Sequence, residues 1–328
     1  MKHIHPLNYL RSFAKGENIK QTGLIFTLGT LIFEGTFSAL AKGLTEYLTP
    51  VALLVISELL TAFFVSISIG LVPIIRTIVR MKPHILLVAI AVGLLNSGLA
   101  PFLWFTGLSM TTAVNASLIS SIDVIFAVLF GYLFLSERIR GMQIAGAGIV
   151  LIGVIMMHVG PRASFHFAVG DIFILFAVIT FASGTTLFKK YLTGEHPEVA
   201  LFIRNLSGIA CIVFVCFFAR FSIFSNISDA PFSIFLPLIA FAFFSRFLNL
   251  SFLYGALDRL PATTVALVLN ASPLSGLFFA AVLLGETISS AQAVAALFII
   301  FGLIVEHVSS DMRPKGEDRK VLQYQTQE

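Results

Sequence analysis

Charge is what this sequence has least of. Only 12% of its 328 residues are Asp, Glu, Lys or Arg, while 57% are hydrophobic; a soluble domain carries about 25% charged residues. The shortage is also uneven. No charged residue lies between Lys82 and Asp123, between Arg140 and Arg162, between Asp171 and Lys189, between Arg259 and Glu286, or between Glu286 and Glu306. Each gap can hold a helical span of roughly 17–25 residues, and the first holds most of two. The runs are apolar throughout, without the alternation of barrel strands, so the class is all-α.

Other absences narrow the function. The two cysteines, Cys211 and Cys216, share one apolar run at a spacing that suits neither a disulfide nor a metal site. His84, His158, His166 and His196 are scattered near span ends, and there is no Walker loop, GxGxxG fingerprint, HExxH or CxxC. No enzyme chemistry, cofactor or metal is therefore expected, and energy would come from ion or solute gradients. The first twenty residues lack the apolar centre and cleavage site of a signal peptide, so the first span is expected to be retained. The tail after Ser310 is charged.

Ten spans are predicted, near 21–43, 50–73, 84–108, 111–135, 141–160, 168–189, 197–219, 231–255, 261–285 and 288–308. An even count puts both termini on one side. With the N-terminus in the cytoplasm, inner segments hold Lys2, Arg11, Lys15, Lys20, Arg76, Arg80, Lys82, Arg138, Arg140, Lys189, Lys190, Arg259, Arg313, Lys315, Arg319 and Lys320, which is 16; outer segments hold Lys42, Arg162 and Arg220, which is 3. The positive-inside rule thus places both termini in the cytoplasm. The basic balance, with pI about 9.1, belongs to this fringe and implies no nucleic-acid partner.

The chain repeats itself. Residues 105–137 align with 253–286: Gly107 matches Gly255 at an offset of 148, and Glu137 matches Glu286 at 149. Gly35-Thr36 matches Gly184-Thr185 and Gly153 matches Gly302, both at 149, while Pro50 and Pro197 differ by 147. A five-span unit has an odd number of crossings, so the second copy enters the membrane inverted. Inverted repeats mark secondary transporters, with the substrate site near the midplane between the repeats. The expected parts are an N-terminal segment (1–20), a first repeat (21–160), a second (168–308) and a tail (309–328).

These landmarks resemble the EamA-type, ten-helix branch of the drug/metabolite transporter superfamily. The matching residues are Gly35 with Lys42 and Gly184 with Lys190; Pro50 and Pro197; Leu135-Ser136-Glu137 and Leu284-Gly285-Glu286; Ala271-Ser272-Pro273; and Gly153 and Gly302. The likeness spans residues 21–308 and implies a transport fold in a cell membrane, export as the commoner direction, and a central site among helices one, three, four, six, eight and nine. It names no substrate. The chain departs from the pattern at Glu34, where Trp is common, at Asp123-Val124, and at Glu58, where Arg is common.

Ionisable groups at bilayer depth cost roughly 2.5–3.5 kcal/mol to insert, which makes each a candidate for function. Asp123, beside Ser121, and Glu34, beside Gly35, Thr36 and Ser38, are the two acids; either can hold and release a proton. Arg246 needs an anion. It is expected either to pair with Glu34 or Asp123 or to clamp a substrate carboxylate or phosphate. Asn270, Asn249, Asn96 and Trp104 are expected to line a cavity, and Glu58 and Arg204 to form structural pairs. Gly29, Gly35, Gly146, Gly148 and Gly153 are expected at close helix contacts. The reading is a secondary active transporter of a small polar or amphipathic metabolite, working by alternating access. A passive facilitator with a structural charge network, or a flippase for a lipid-linked substrate, are the alternatives; the bilayer is a partner, and a homodimer is compatible with the pattern.

Overall fold

The computed structural model describes residues 19–44, 47–108, 110–111, 119–137, 141–158, 168–193, 197–220, 231–284 and 288–311. Both terminal segments, Glu286 and the start of the fourth expected span lie outside the described residues.

The described residues are helical and form no strand. Among the described residues six helices are long and apolar enough to cross a membrane, and Asp123–Leu135, Ile144–Met156 and Ser290–Val305 are shorter apolar helices. The protein is a polytopic helical membrane protein. The helix starts are written in the sequence. Pro50, Pro83 and Pro197 open helices, where a missing N–H costs nothing. Thr49 caps Pro50–Ile69 by accepting from the Ala52 N–H at 3.1 Å.

One expected boundary is corrected. The second span was read to residue 73, but its helix stops at Ile69. Gly70 adopts φ +91°, which a residue without Cβ reaches at little cost. A separate amphipathic helix, Leu71–Arg80, follows, with Ile74 buried and Arg76 and Arg80 exposed. Sequence reading had treated that stretch as loop because the apolar and basic residues average out along it.

Four irregularities lie within spans, and they come in repeat-related pairs. In the third span, Pro83–Gly93 passes through a π-helical stretch, Leu94–Leu99, into Ala100–Leu108. The eighth does the same, with Phe235–Ala240, π-helical Phe241–Leu248 and Asn249–Arg259. The fourth span breaks at Ser121-Ile122 before helix Asp123–Leu135, and the ninth at Asn270-Ala271 between Ala262–Leu269 and Ser272–Leu284. The breaks are 149 residues apart, the offset already found in the sequence.

Packing differs between the two ends of the bundle. At the end carrying Glu137 and Arg259, one continuous apolar cluster joins the second, third, sixth, seventh, eighth and ninth spans through Val65, Ile85, Phe188, Val199, Leu257 and Val265. At the opposite end, carrying Thr111 and Asp171, the apolar contacts divide into separate clusters around Leu44 and Phe241, around Leu54 and Ile212, and around Ile174 and Trp104. The fifth and tenth spans pack on each other, with Gly153 against Ile299 and Gly302 against Val150.

Candidate functional site

A cavity of about 440 Å³ occupies the centre of the bundle. Its lining comes from both repeats and includes Glu34, Trp104, Asn96, Ser121, Asp123, Arg246, Asn249 and Asn270. Arg204 lines it too. Sequence reading placed the site among six helices; the second (Leu53, Leu54, Ser57) and the seventh (Arg204) also contribute.

The irregular backbone explains why polar groups converge here. A regular helix hides its carbonyls in i→i−4 bonds, whereas π turns and breaks release some of them. Arg204 Nη2 donates to the Asn96 carbonyl within the third-span π stretch at 3.1 Å. Asn270 Nδ2 reaches the Ser121 carbonyl at 3.5 Å, joining the breaks of the ninth and fourth spans. Half-helices with interrupted backbone at membrane depth are the usual makings of transporter sites.

Glu34 is exposed although it sits in the middle of a helix, and it opens on the cavity. Its Oε2 accepts from Asn249 Nδ2 at 2.6 Å, and the same amide also donates to the Thr30 carbonyl at 3.3 Å. Beside it, Thr36 Oγ1 and Ser245 Oγ lie 2.7 Å apart. Gly35 lets the ninth span approach the same helix closely: a Cβ there would fall 2.4 Å from Ser275. Asp123 starts its helix at the break, lines the cavity, and interacts electrostatically with Glu34. Trp104 Nε1 donates to Ser120 Oγ at 3.2 Å, which fixes the indole against the fourth span.

Arg246 is where expectation and structure part. Its guanidinium is ion-paired with Glu58 of the second span, not with Glu34 or Asp123. Glu58 is fully buried and the Arg246 side chain is 14% exposed. The expectation failed because it ranked partners by depth along a helix. The first and second spans both pack on the π stretch of the eighth, Thr36 reaching Ser245 from the first, and it is the second that brings its carboxylate onto the guanidinium. Arg204 braces the third-span π stretch from the seventh span in the repeat-related way. Glu58 thus meets Arg246, and Arg204 meets the Asn96 carbonyl, partners the sequence did not identify.

Tyr254 was missed. It lies eight residues after Arg246 on the same helical face, a spacing that could have flagged it. It is 2% exposed, stacks on Phe188 with ring centroids 4.0 Å apart, and receives the Arg204 guanidinium over its ring at 5.7 Å. At the Glu137 end of the bundle the Glu137 carboxylate caps the ninth span. It accepts from the N–H of Ala262 (2.8 Å), the N–H of Thr263 (3.1 Å) and Thr263 Oγ1 (2.7 Å).

The sequence pattern of the EamA-like transporter family matches residues 21–159 and again residues 168–305. A transporter of Methanothermobacter thermautotrophicus, described as uncharacterized, is 27% identical over 69% of this chain and 66% of its own length. A probable amino-acid metabolite efflux pump of Salmonella typhimurium is 28% identical over 58% of this chain and 66% of its own. This chain therefore spans about two thirds of the length of either relative. The transporter YyaM of Bacillus subtilis, likewise described as uncharacterized, is 21% identical over 85% of this chain and 92% of its own length. A solved crystal structure shares the fold with a TM-score of 0.74 at 19% identity, covering 88% of this chain and 98% of the other.

Proposed function

Because the chain belongs to the EamA-like transporter family, we propose that it is a secondary active transporter of a small polar or amphipathic metabolite, working by alternating access between two inverted five-helix halves. One observation carries this reading. The central cavity is lined from both repeats, and its wall is built on paired breaks and π stretches that recur at the repeat offset. Two halves that share one site and can exchange conformations are what alternating access requires.

The direction proposed is export across a cell membrane, with both termini in the cytoplasm. The 16-to-3 distribution of Lys and Arg supports that orientation. The Glu137 end then faces the cytoplasm, and its continuous apolar packing supports a conformation closed on that side. Glu34 and Asp123 are the proposed proton-coupling groups. They are the carboxyl groups that line the cavity without an ion-pair partner among the described residues.

The test is flux in proteoliposomes over a metabolite panel, with and without an imposed pH gradient. Gradient-driven flux that is lost in Glu34→Gln and Asp123→Asn is the expected result. Flux that ignores the gradient and survives both substitutions would establish a passive facilitator instead.

A further inference from the structure

The short helix Leu71–Arg80 contributes nothing to the cavity wall. It joins the second span, which ends at Ile69, to the third, which opens at Pro83, through Gly70 on one side and Met81-Lys82 on the other. Ten residues make about 15 Å of helix. Links of one and two residues hold that length against the ends of the two spans. The helix therefore lies at the membrane boundary, where amphipathic helices run along a bilayer surface.

Three stripes at i, i+4 spacing run along it. Ile74 is fully buried, and Ile78 packs beside it on the apolar cluster of the Glu137 end. Leu71, Ile75 and Val79 form the neighbouring stripe, and all three are exposed, Val79 to 78%. Arg76 and Arg80 form the third stripe and are exposed as well. Apolar surface thus extends well beyond what the protein covers. The second span leads up to the uncovered stripe with Leu59, Phe63 and Ile67, each exposed. On a spanning helix such a stripe is the face that meets acyl chains, and Leu71, Ile75 and Val79 carry it on past the turn at Gly70.

Charge says which lipid fits. Arg76, Arg80, Lys82 and His84 are exposed on one short segment, and none has an ion-pair partner among the described residues. The second and seventh spans pack on the helix. Their acids are Glu58, which is taken by Arg246, and Glu198 in the first turn of the seventh. Even with Glu198 set against them, Arg76, Arg80 and Lys82 leave an excess of positive charge. A zwitterionic headgroup has no net charge to meet it, whereas a phosphodiester headgroup with net negative charge does. Basic clusters on an amphipathic helix beside a span are the usual anionic-lipid contacts of the cytoplasmic leaflet.

We infer that Leu71–Arg80 is an interfacial helix that binds anionic phospholipid, with Leu71, Ile75 and Val79 among the acyl chains and Arg76, Arg80 and Lys82 on headgroup phosphate. In the orientation proposed above this is the cytoplasmic leaflet. Gly70 makes the turn from span to surface, at the φ of +91° that a residue without Cβ reaches at little cost.

The test titrates the purified full chain in detergent with phosphatidylglycerol, phosphatidylcholine and inorganic phosphate, and counts bound molecules by native mass spectrometry. Saturable binding of phosphatidylglycerol is expected, tighter than that of phosphatidylcholine. A basic residue near a charged surface is worth about fivefold in affinity. Arg76→Gln, Arg80→Gln and Lys82→Gln together should therefore weaken binding roughly 100-fold. Arg76→Lys with Arg80→Lys, which keep the charge, should retain most of it, and Arg220→Gln at the opposite end of the bundle should change nothing. In bilayers, with Cys211 and Cys216 replaced, a nitroxide at Val79→Cys should be accessible to oxygen and shielded from a water-soluble nickel chelate; one at Arg80→Cys should show the reverse. Equal binding of the two lipids, or unchanged binding in the triple Gln variant, overturns the inference. Inorganic phosphate bound as tightly as the lipid would make this a soluble-anion site instead. A Val79 nitroxide open to nickel would lift the helix off the bilayer, and dipolar broadening between Val79 nitroxides would put a second copy of the chain on this face; either outcome overturns the inference too. None of these readings depends on flux, so absence of transport would remove the transport reading and leave this one standing.

Discussion

Arg246 of the eighth span is ion-paired with Glu58 of the second, 188 residues earlier in the chain. Glu58 is fully buried, and Arg246 belongs to the π stretch that gives the cavity its irregular wall. Removing one partner of a buried pair leaves the other charge unpaired, which costs roughly 3–5 kcal/mol. Glu58→Gln should therefore lower the melting temperature markedly in detergent. Glu58→Leu combined with Arg246→Leu should recover most of the loss, because neither charge is then stranded. The double variant removes one charge of each sign, so substrate binding should survive in it. If binding is lost while the melt recovers, Arg246 touches the substrate directly.

Asn249 holds Glu34 in place. Its amide bridges the Glu34 carboxylate and the Thr30 carbonyl across two helices. Asn249→Leu removes both bonds at similar volume. A hydrogen bond to a charged group contributes about 1.5–3 kcal/mol, so substrate affinity should weaken roughly 10- to 100-fold. The KM for transport, measured beside surface expression, distinguishes this from misfolding: KM rises while the amount of inserted protein holds.

The architecture was legible from the sequence because its signals are local and repeated. Charge-free gaps gave the spans, Pro50 and Pro197 gave starts, and the constant offset from Gly35 to Gly184 gave the duplication. Glu34, Asp123, Asn96, Asn249, Asn270 and Trp104 were legible as a set because polar groups are rare at this depth, and the cavity gathers all six. Pairing was another matter. Which anion meets Arg246 depends on where two helices cross, and that is fixed by a π turn that no propensity pattern announces. Gly148 misled for the same reason. It was expected at a close helix contact, yet among the described residues nothing lies within 4 Å of a Cβ added there, because the fifth span turns that face away from its described neighbours.

That contrast makes a paired test of packing. At Gly208 of the seventh span a Cβ would sit 2.2 Å from Ser97 Cβ and 2.8 Å from the Ser97 carbonyl carbon, so the backbones themselves would have to separate. Overpacking of this kind costs about 1–3 kcal/mol. Gly208→Ala should lower the melting temperature and Gly148→Ala should leave it unchanged or raise it slightly, since alanine favours helix by about 1 kcal/mol over glycine. Equal melts for the two variants would mean that the third and seventh spans are not held as close as described.

Glu137 offers a test of closure at its end of the bundle. Its carboxylate leaves the fourth span and accepts three hydrogen bonds from the first residues of the ninth, and Gly131 makes room, since a Cβ there would lie 2.6 Å from Thr263 Cγ2. A negative charge at a helix N-terminus is favoured by about 0.3–1 kcal/mol. Each buried N–H left without an acceptor costs about 1–3 kcal/mol. Glu137→Gln loses the charge and turns an amide N–H₂ toward donors, so it should loosen the contact by an amount of that order. If the contact holds this end shut, its loss favours the state open there. Ala266 lines the cavity just beyond the cap. In a background with Cys211 and Cys216 replaced, Ala266→Cys should react with a membrane-impermeant maleimide roughly tenfold faster once Glu137→Gln is added. Thr263→Val, which removes only the hydroxyl donor, should give a smaller increase in the same direction. Unchanged labelling in both would make the cap a local helix stop with no part in gating, and the closure would then rest on the apolar cluster of Leu257, Val265 and Phe188 alone.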